Sequence, residues 1–190
     1  MVVTAMLPKP RRLLLILIGL TALLSTSCSQ SIIFMITGTV TEVSDGDTIR
    51  LITPVQTKLL IRLYGIDAPE TQKIDASSGR VSKAGQPYGD VSWDALEIKI
   101  MGQQVRVDAI VVDEQNRIVG TIWLGDRNIN LEMVREGHAE AFIEYLKPPY
   151  RSKFLEAEKE AKSARRGIWS LKNYERPRNF RKRLNISGWE

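Results

Sequence analysis

Residues 36–70 read ITGTVTEVSDGDTIRLITPVQTKLLIRLYGIDAPE, and the pattern in this stretch decides the fold. From Ile36 to Leu51 apolar and polar residues alternate around Asp45-Gly46, with Val40, Val43, Thr48 and Ile49 favouring extended backbone. A β-hairpin is expected there. Thr57–Ile66 reads as a third strand, its apolar run Leu59, Leu60, Ile61, Leu63 interrupted only by Arg62. A charge in that setting needs a partner or a ligand.

Further along, Ala68–Gly89 carries Gly79, Gly85, Pro87 and several Ser and Lys without a sustained period, so a surface loop is expected. Long loops in compact domains are often functional. Asp90–Met101 offers an N-cap residue and the apolar positions Val91, Ala95, Ile98 and Met101 at helical spacing, ended by Gly102. Val105, Val107, Ala109 and Val111 then alternate in a fourth strand, and Arg117–Leu124 forms a fifth across the turn Asp113-Glu114-Gln115-Asn116. Asn130–Arg135 is a short helix. Arg151–Arg166 is a longer one, with Phe154, Ala157, Ala161 and Ala164 on one face, a Glu158–Lys162 i,i+4 pair, and Gly167 as its stop. The order is α+β, with all strands early. It suits a five-stranded OB-fold Greek-key β-barrel with one helix between strands 3 and 4 and two C-terminal helices, a fold whose groove often binds single-stranded nucleic acid. After Ser170 the chain reads as a basic, loop-like extension with Pro177 and Asn185.

A chain of 190 residues with 43% apolar content can bury one core with extensions. Its net charge of +5 lies mostly outside that core. Residues 1–27 hold Lys9, Arg11 and Arg12 and no acid, residues 171–190 hold six bases and two acids, and residues 28–170 hold 18 bases against 20 acids. General basicity therefore does not argue for nucleic-acid binding by the domain, and any such case rests on local sites. Lys9, Arg11 and Arg12 before the run Leu13–Leu24 read as an export signal, that run being short for a membrane span. A retained anchor helix is the alternative. Cys28, the sole cysteine, excludes an intrachain disulfide and a Cys-rich metal site. Leu24-Ser25-Thr26-Ser27-Cys28 resembles a bacterial lipobox with Ser25 in place of an aliphatic residue, so Cys28 is either acylated or a free thiol.

Asp45, Asp47, Asp67 and Glu70 repel one another if the barrel gathers them, unless a cation intervenes. Hard cations such as Ca2+ or Mg2+ take carboxylate, carbonyl and water oxygens, and a guanidinium fork suits a phosphodiester. Asp45-Gly46 by itself is an ordinary hairpin turn, Arg62 by itself a buried ion pair, Glu70 a solvated loop charge and Arg117 a turn arginine. Pro69 holds Ala68 extended and turns Glu70 into the loop, beside the proposed ion rather than on it. The lone histidine, His138, is read as structural; without a second His or Cys, a zinc site or a Ser-His or Cys-His triad is not supported.

Asp45-Gly46-Asp47-Thr48, Arg62-Leu63 with Ile66-Asp67-Ala68-Pro69-Glu70, Gln86-Pro87-Tyr88-Gly89, Asp113 to Arg117 and Gly167-Ile168-Trp169 together resemble the staphylococcal nuclease (thermonuclease) family over about residues 35–170. The resemblance implies an OB-fold endonuclease that uses Ca2+ to hydrolyse DNA and RNA, leaving 3'-phosphate and 5'-hydroxyl ends. Carried over by position, Asp47 and Asp67 match the calcium carboxylates and Ala68 the carbonyl ligand. Glu70 matches the general base, Arg62 and Arg117 the phosphate-binding arginines, and Asp45 a motif position that shapes the turn without ligating metal. The chain departs from the family at Asp113-Glu114-Gln115-Asn116-Arg117, where Gln115 replaces a nucleotide-contacting tyrosine and Asn116 replaces the glycine of a left-handed turn. Glu114 and Gln115 thus become the candidate substrate contacts, with Tyr145 and Tyr150 available either for base stacking or for packing. The expected organisation is a signal peptide at 1–27, a linker at 28–34, the nuclease-like domain at 35–170 and a basic tail at 171–190. The implied partners are DNA and RNA, single-stranded or locally unpaired, and the membrane only through Cys28 acylation or a retained signal; a monomer is expected. The rival is a non-catalytic OB-fold module that binds nucleic acid or protein.

Overall fold

The computed structural model describes residues 34–185. The signal-peptide reading of 1–27 and the Cys28 lipidation reading lie outside them. Three strands come first: β1 (Phe34–Asp45), β2 (Thr48–Ile52) and β3 (Lys58–Leu63). Short segments β4 (Ile66–Asp67), β5 (Lys73–Ile74) and β6 (Val81–Lys83) lead to α1 (Gly89–Ile100), and β7 (Gln104–Val112) and β8 (Ile118–Leu124) follow. A short β9 (Arg127–Asn128) enters α2 (Ile129–Arg135), β10 (Glu140–Ala141) precedes α3 (Tyr150–Ser163), and a 3-10 turn (Gly167–Ser170) precedes α4 (Pro177–Arg183). No helix among the described residues is long and apolar enough to cross a membrane.

The strands hydrogen-bond in the order β3-β2-β1-β7-β8, and β8 returns to pair in parallel with β3 through Ile61↔Ile118, Arg62↔Val119 and Leu63↔Gly120. That pairing closes the five-stranded OB barrel. Closure follows from the pattern of the strands: Val40, Ile49, Leu51, Ile61, Leu63, Val105, Val107 and Ile122 are buried and fill the interior. Bulges in β1 at Val40/Glu42 and Val43/Asp45 let this long strand coil and pair on both sides.

Three readings of the sequence change. Residues 68–89 hold the small antiparallel ladder β5–β6, because Lys73 and Ile74 pair with Lys83 and Val81 across a turn whose Asp75 carboxylate caps Ser77 and Ser78. In α1 the inward face is Ser92, Leu96 and Ile100, while Val91, Ile98 and Met101 are exposed. Trp93 fixes that rotation by donating its indole N–H to the Val43 carbonyl at 2.6 Å, and Ser92 donates to the His138 carbonyl at 2.7 Å. Third, residues after Ser170 do not run as a loop: Pro177 starts α4, and Pro177 and Phe180 are buried.

The longer helix keeps Phe154, Ala157 and Ala161 buried as the spacing predicted, while Ala164 forms its C-cap and is exposed. Glu158 accepts from the Ala141 N–H at 3.0 Å and from Lys162 at 2.7 Å, so the i,i+4 pair also fastens α3 to β10.

Candidate active site

Backbone register sets the acids. Thr48 stands opposite Arg62 across β2–β3, and the Leu63 N–H donates to the Asp47 carbonyl at 2.8 Å, so the β1–β2 turn lies against the end of β3. Gly46 permits the approach, since a Cβ there would stand 2.9 Å from that of Ala68. Asp67, on β4, pairs with Glu140 of β10. Glu70 follows Pro69, and its backbone is bonded on both sides by Gln86: the Gln86 N–H donates to the Glu70 carbonyl at 2.8 Å and the Glu70 N–H to Gln86 Oε1 at 3.4 Å.

Arg62 bridges the two aspartates. One terminal nitrogen donates to Asp47 Oδ1 and the other to Asp67 Oδ1 at 3.0 Å, while Asp47 Oδ2 accepts from the Ala68 N–H at 2.8 Å. Asp47, Asp67, Glu70 and Arg62 are all buried. Burial pushes the Asp47 carboxyl up, and the Arg62 charge opposes that rise. For Glu70, burial also pushes upward, but Lys83 and then Arg181 more than offset it and hold the carboxyl below its ordinary value. An ionised carboxylate is what a proton acceptor needs.

Two cations of this site were not found in the sequence. Lys83, from the β6 arm, reaches Glu70 Oε2 at 2.5 Å and Asp45 Oδ2 at 3.2 Å. Arg181, from α4, forms a fork on Asp67, with Nη1 to Oδ1 and Nη2 to Oδ2 both at 2.9 Å, and Nη1 also reaches Glu70 Oε1 at 2.7 Å. The signal for α4 was the spacing of Pro177, Phe180, Arg181 and Leu184. Lys83 left no periodic signal, because a three-residue strand is too short to carry one. Asp45 does more than shape its turn: it accepts from the Thr71 N–H at 3.2 Å and holds Lys83, so it ties the hairpin to the loop that bears Glu70.

The structure thus joins Asp47, Asp67, Ala68, Glu70 and Arg62 in one hydrogen-bonded group. Arg117, Glu114 and Gln115 belong to the β7–β8 turn. There Asn116 takes the left-handed conformation at φ 58°, and Asp113 accepts from the N–H groups of Gln115 at 3.0 Å and Arg117 at 2.9 Å. Arg117 Nε donates to Asp113 Oδ2 at 2.8 Å and Nη2 to Gln115 Oε1 at 2.6 Å. Arg117 immediately precedes β8, the strand that pairs in parallel with the Arg62-bearing β3. Glu114 and Gln115 are exposed. Tyr145 is 43% exposed, with its ring 4.7 Å from that of Phe142, and its carbonyl accepts from Tyr64 Oη at 2.7 Å. His138 stacks on Tyr88 with ring centroids 6.0 Å apart, in keeping with a structural role.

The donor set suits a hard cation in kind, being two buried carboxylates drawn together by one guanidinium. Among the described residues no three His, Cys, Asp or Glu side chains form a metal cage.

A family model described as staphylococcal nuclease homologue matches residues 60–171. Among curated proteins, a probable endonuclease of Kluyveromyces lactis is 33% identical over 131 residues, covering 65% of this chain and 46% of its own length. A probable staphylococcal-like nuclease of Oryza sativa subsp. japonica is 36% identical over 125 residues, 66% of this chain and 29% of its own. An uncharacterized endonuclease of Haemophilus influenzae is 29% identical over 148 residues, 78% of this chain and 74% of its own. The chain spans less than half the length of the yeast and rice relatives.

Proposed function

The chain belongs to the staphylococcal nuclease homologue family, and from that premise we propose that it is a calcium-dependent endonuclease. In this reading it hydrolyses phosphodiester bonds of DNA and RNA, favouring single-stranded or locally unpaired substrate, and leaves 3'-phosphate and 5'-hydroxyl ends. The observation that supports it is the buried group in which Arg62 bridges Asp47 and Asp67 with Glu70 alongside. The endonuclease names of the relatives agree with it.

Asp47 and Asp67, with the Ala68 carbonyl, would hold the Ca2+, which when bound supplies positive charge to a phosphoryl oxygen. Glu70, kept ionised by Lys83, accepts the proton of the attacking water, a contribution of about 10²- to 10⁴-fold. Arg62 and Arg117 donate to the phosphoryl oxygens as charge grows on them, and the 5'-oxygen leaves in line with the attack. Glu114 and Gln115, at the tip of the Arg117 turn, and Tyr145 contact the nucleotide. The protein acts as an exported monomer, its signal in residues 1–27, and reaches a membrane only through Cys28 or a retained signal.

One observation favours the second reading, a non-catalytic binding module: every carboxylate oxygen of Asp67 and Glu70 already has a cationic partner from the chain itself. Digestion of plasmid and single-stranded DNA in Ca2+, in Mg2+ and in chelator separates the readings. Cleavage in Ca2+ with 3'-phosphate ends is expected. Binding without cleavage in either ion would establish the module instead, and cleavage in Mg2+ alone would replace the ion.

A further inference from the structure

The residue that closes over Asp67 and Glu70 lies C-terminal to the stretch that the family model matches. The family match ends at residue 171, and Arg181 lies on α4 beyond it. Its side chain is 6% exposed and takes both oxygens of Asp67 and one of Glu70. Asp45, Asp47, Asp67 and Glu70 are thereby matched by Lys73, Lys83, Arg62 and Arg181, so the chain neutralises its own acid cluster. A divalent cation entering that cluster meets no net negative charge until a base leaves. Of these four bases Arg181 alone is carried by α4, C-terminal to the stretch that the family model matches.

α4 is fastened through its side chains. Phe180 and Pro177 are buried beneath it, Arg176 grips Glu140 at 2.9 Å, Arg178 reaches Glu144 at 3.1 Å, and Gln86 donates to the Glu175 carbonyl at 2.5 Å. The docking also leaves polar groups unsatisfied. Among the described residues, Arg181 Nε, Tyr174 Oη and Trp169 Nε1 are buried without a hydrogen-bond partner, three of five such atoms, all within residues 169–181. On α4 itself, Arg181 Nε is a desolvation penalty that release into water would recover. The helix is therefore held by charge-assisted bonds from Arg181 and carries an unsatisfied group on the same side chain, which suits a contact made and broken as a unit.

We infer that α4 is a tethered strap: Arg181 keeps Asp67 and Glu70 closed as an intramolecular cation, and a divalent ion engages Asp67 only by displacing it. The inference rests on the reading of Asp47 and Asp67 as cation ligands. Competition of this kind weakens apparent affinity by the fraction of time the strap is open, so a strap engaged about nine-tenths of the time raises the apparent Kd about tenfold. Displacement works in both directions: the ion that expels Arg181 loosens α4. Because Arg181 also contacts Glu70, the same event frees the proposed proton acceptor.

The test uses the full chain. Calorimetric titration with CaCl2 is expected to give an affinity for Arg181→Gln about tenfold tighter than for wild type. In wild type, saturating CaCl2 is expected to speed hydrogen exchange of the amides of residues 177–183. A folded Arg181→Gln chain that binds Ca2+ no tighter overturns the strap while leaving the calcium reading intact, and so does unchanged exchange in Ca2+-saturated wild type. If neither folded chain binds Ca2+, the calcium reading fails and the strap fails with it. Should Arg181→Gln not fold, Arg181→Lys, which keeps the charge and loses the fork, is expected to tighten Ca2+ binding by a smaller factor, and no shift overturns the strap.

Discussion

The barrel and the C-terminal helix both place an arginine on Asp67, by different means. Arg62 sits in a strand bonded on both sides, opposite Thr48 on β2 and Val119 on β8, so its position is fixed by ladder register. Arg181 sits on seven residues of helix held by Phe180, Pro177 and a few ion pairs. A side chain placed by register moves only if the barrel opens. One placed by side-chain contacts can leave while the barrel stays folded. The two arginines thus look alike in distance and burial and differ in what their removal would do.

The largest effect is expected on the barrel side. Arg62→Ala strands Asp47 and Asp67 with a buried partner missing, and breaking such a pair costs about 3–5 kcal/mol. Urea denaturation should show that loss together with loss of cleavage; a wild-type midpoint would mean that Arg181 alone suffices for the acids. Glu70→Gln should keep the fold and lower cleavage by about 10²- to 10⁴-fold. Single-turnover nicking at wild-type rate would remove Glu70 from the chemistry.

On the helix side a smaller and more local effect is expected. Phe180→Ala removes the buried ring beneath α4, a change worth about 3–5 kcal/mol where a core is fully packed. Only the docking of α4 should suffer: hydrogen exchange should rise over residues 177–183 and stay unchanged in β1, β2 and β7. A barrel that loosens together with α4 would erase the distinction between the two regions.

The smallest effect concerns pH. Burial raises the Glu140 carboxyl to about 7, against the opposing pull of Arg176. A carboxyl raised in the folded state binds its proton more tightly there than in the unfolded chain, where its value is near 4.5. Its stabilising effect is therefore complete below about pH 4.5 and fades as pH climbs toward 7. Wild type should lose stability relative to Glu140→Gln between pH 5 and pH 8 in urea melts; a gap that is flat with pH would contradict the raised value.

Much of the barrel was legible because alternating apolar residues set both the strands and their buried face. The β1–β2 hairpin and the Arg117 strand followed from local rules, and the left-handed Asn116 turn from the family resemblance. The rotation of α1 did not, since its amphipathicity is weak and Trp93 and Ser92 decide the facing by long-range bonds to Val43 and His138. Asp47, Asp67, Glu70 and Arg62 were legible as candidates because four charges so close in sequence, one within an apolar strand, require one another.

The sequence by itself determined which barrel strands form and which residue types gather at their ends, because periodicity and turn chemistry act over a few residues. Only the tertiary structure decided what neutralises those ends. Lys83 and Arg181 reach Glu70 across separations of 13 and 111 residues, through a two-rung ladder and a seven-residue helix whose partners are not sequence neighbours. The pairing of charges at such separations is set by chain closure and burial, which leave no local pattern to read.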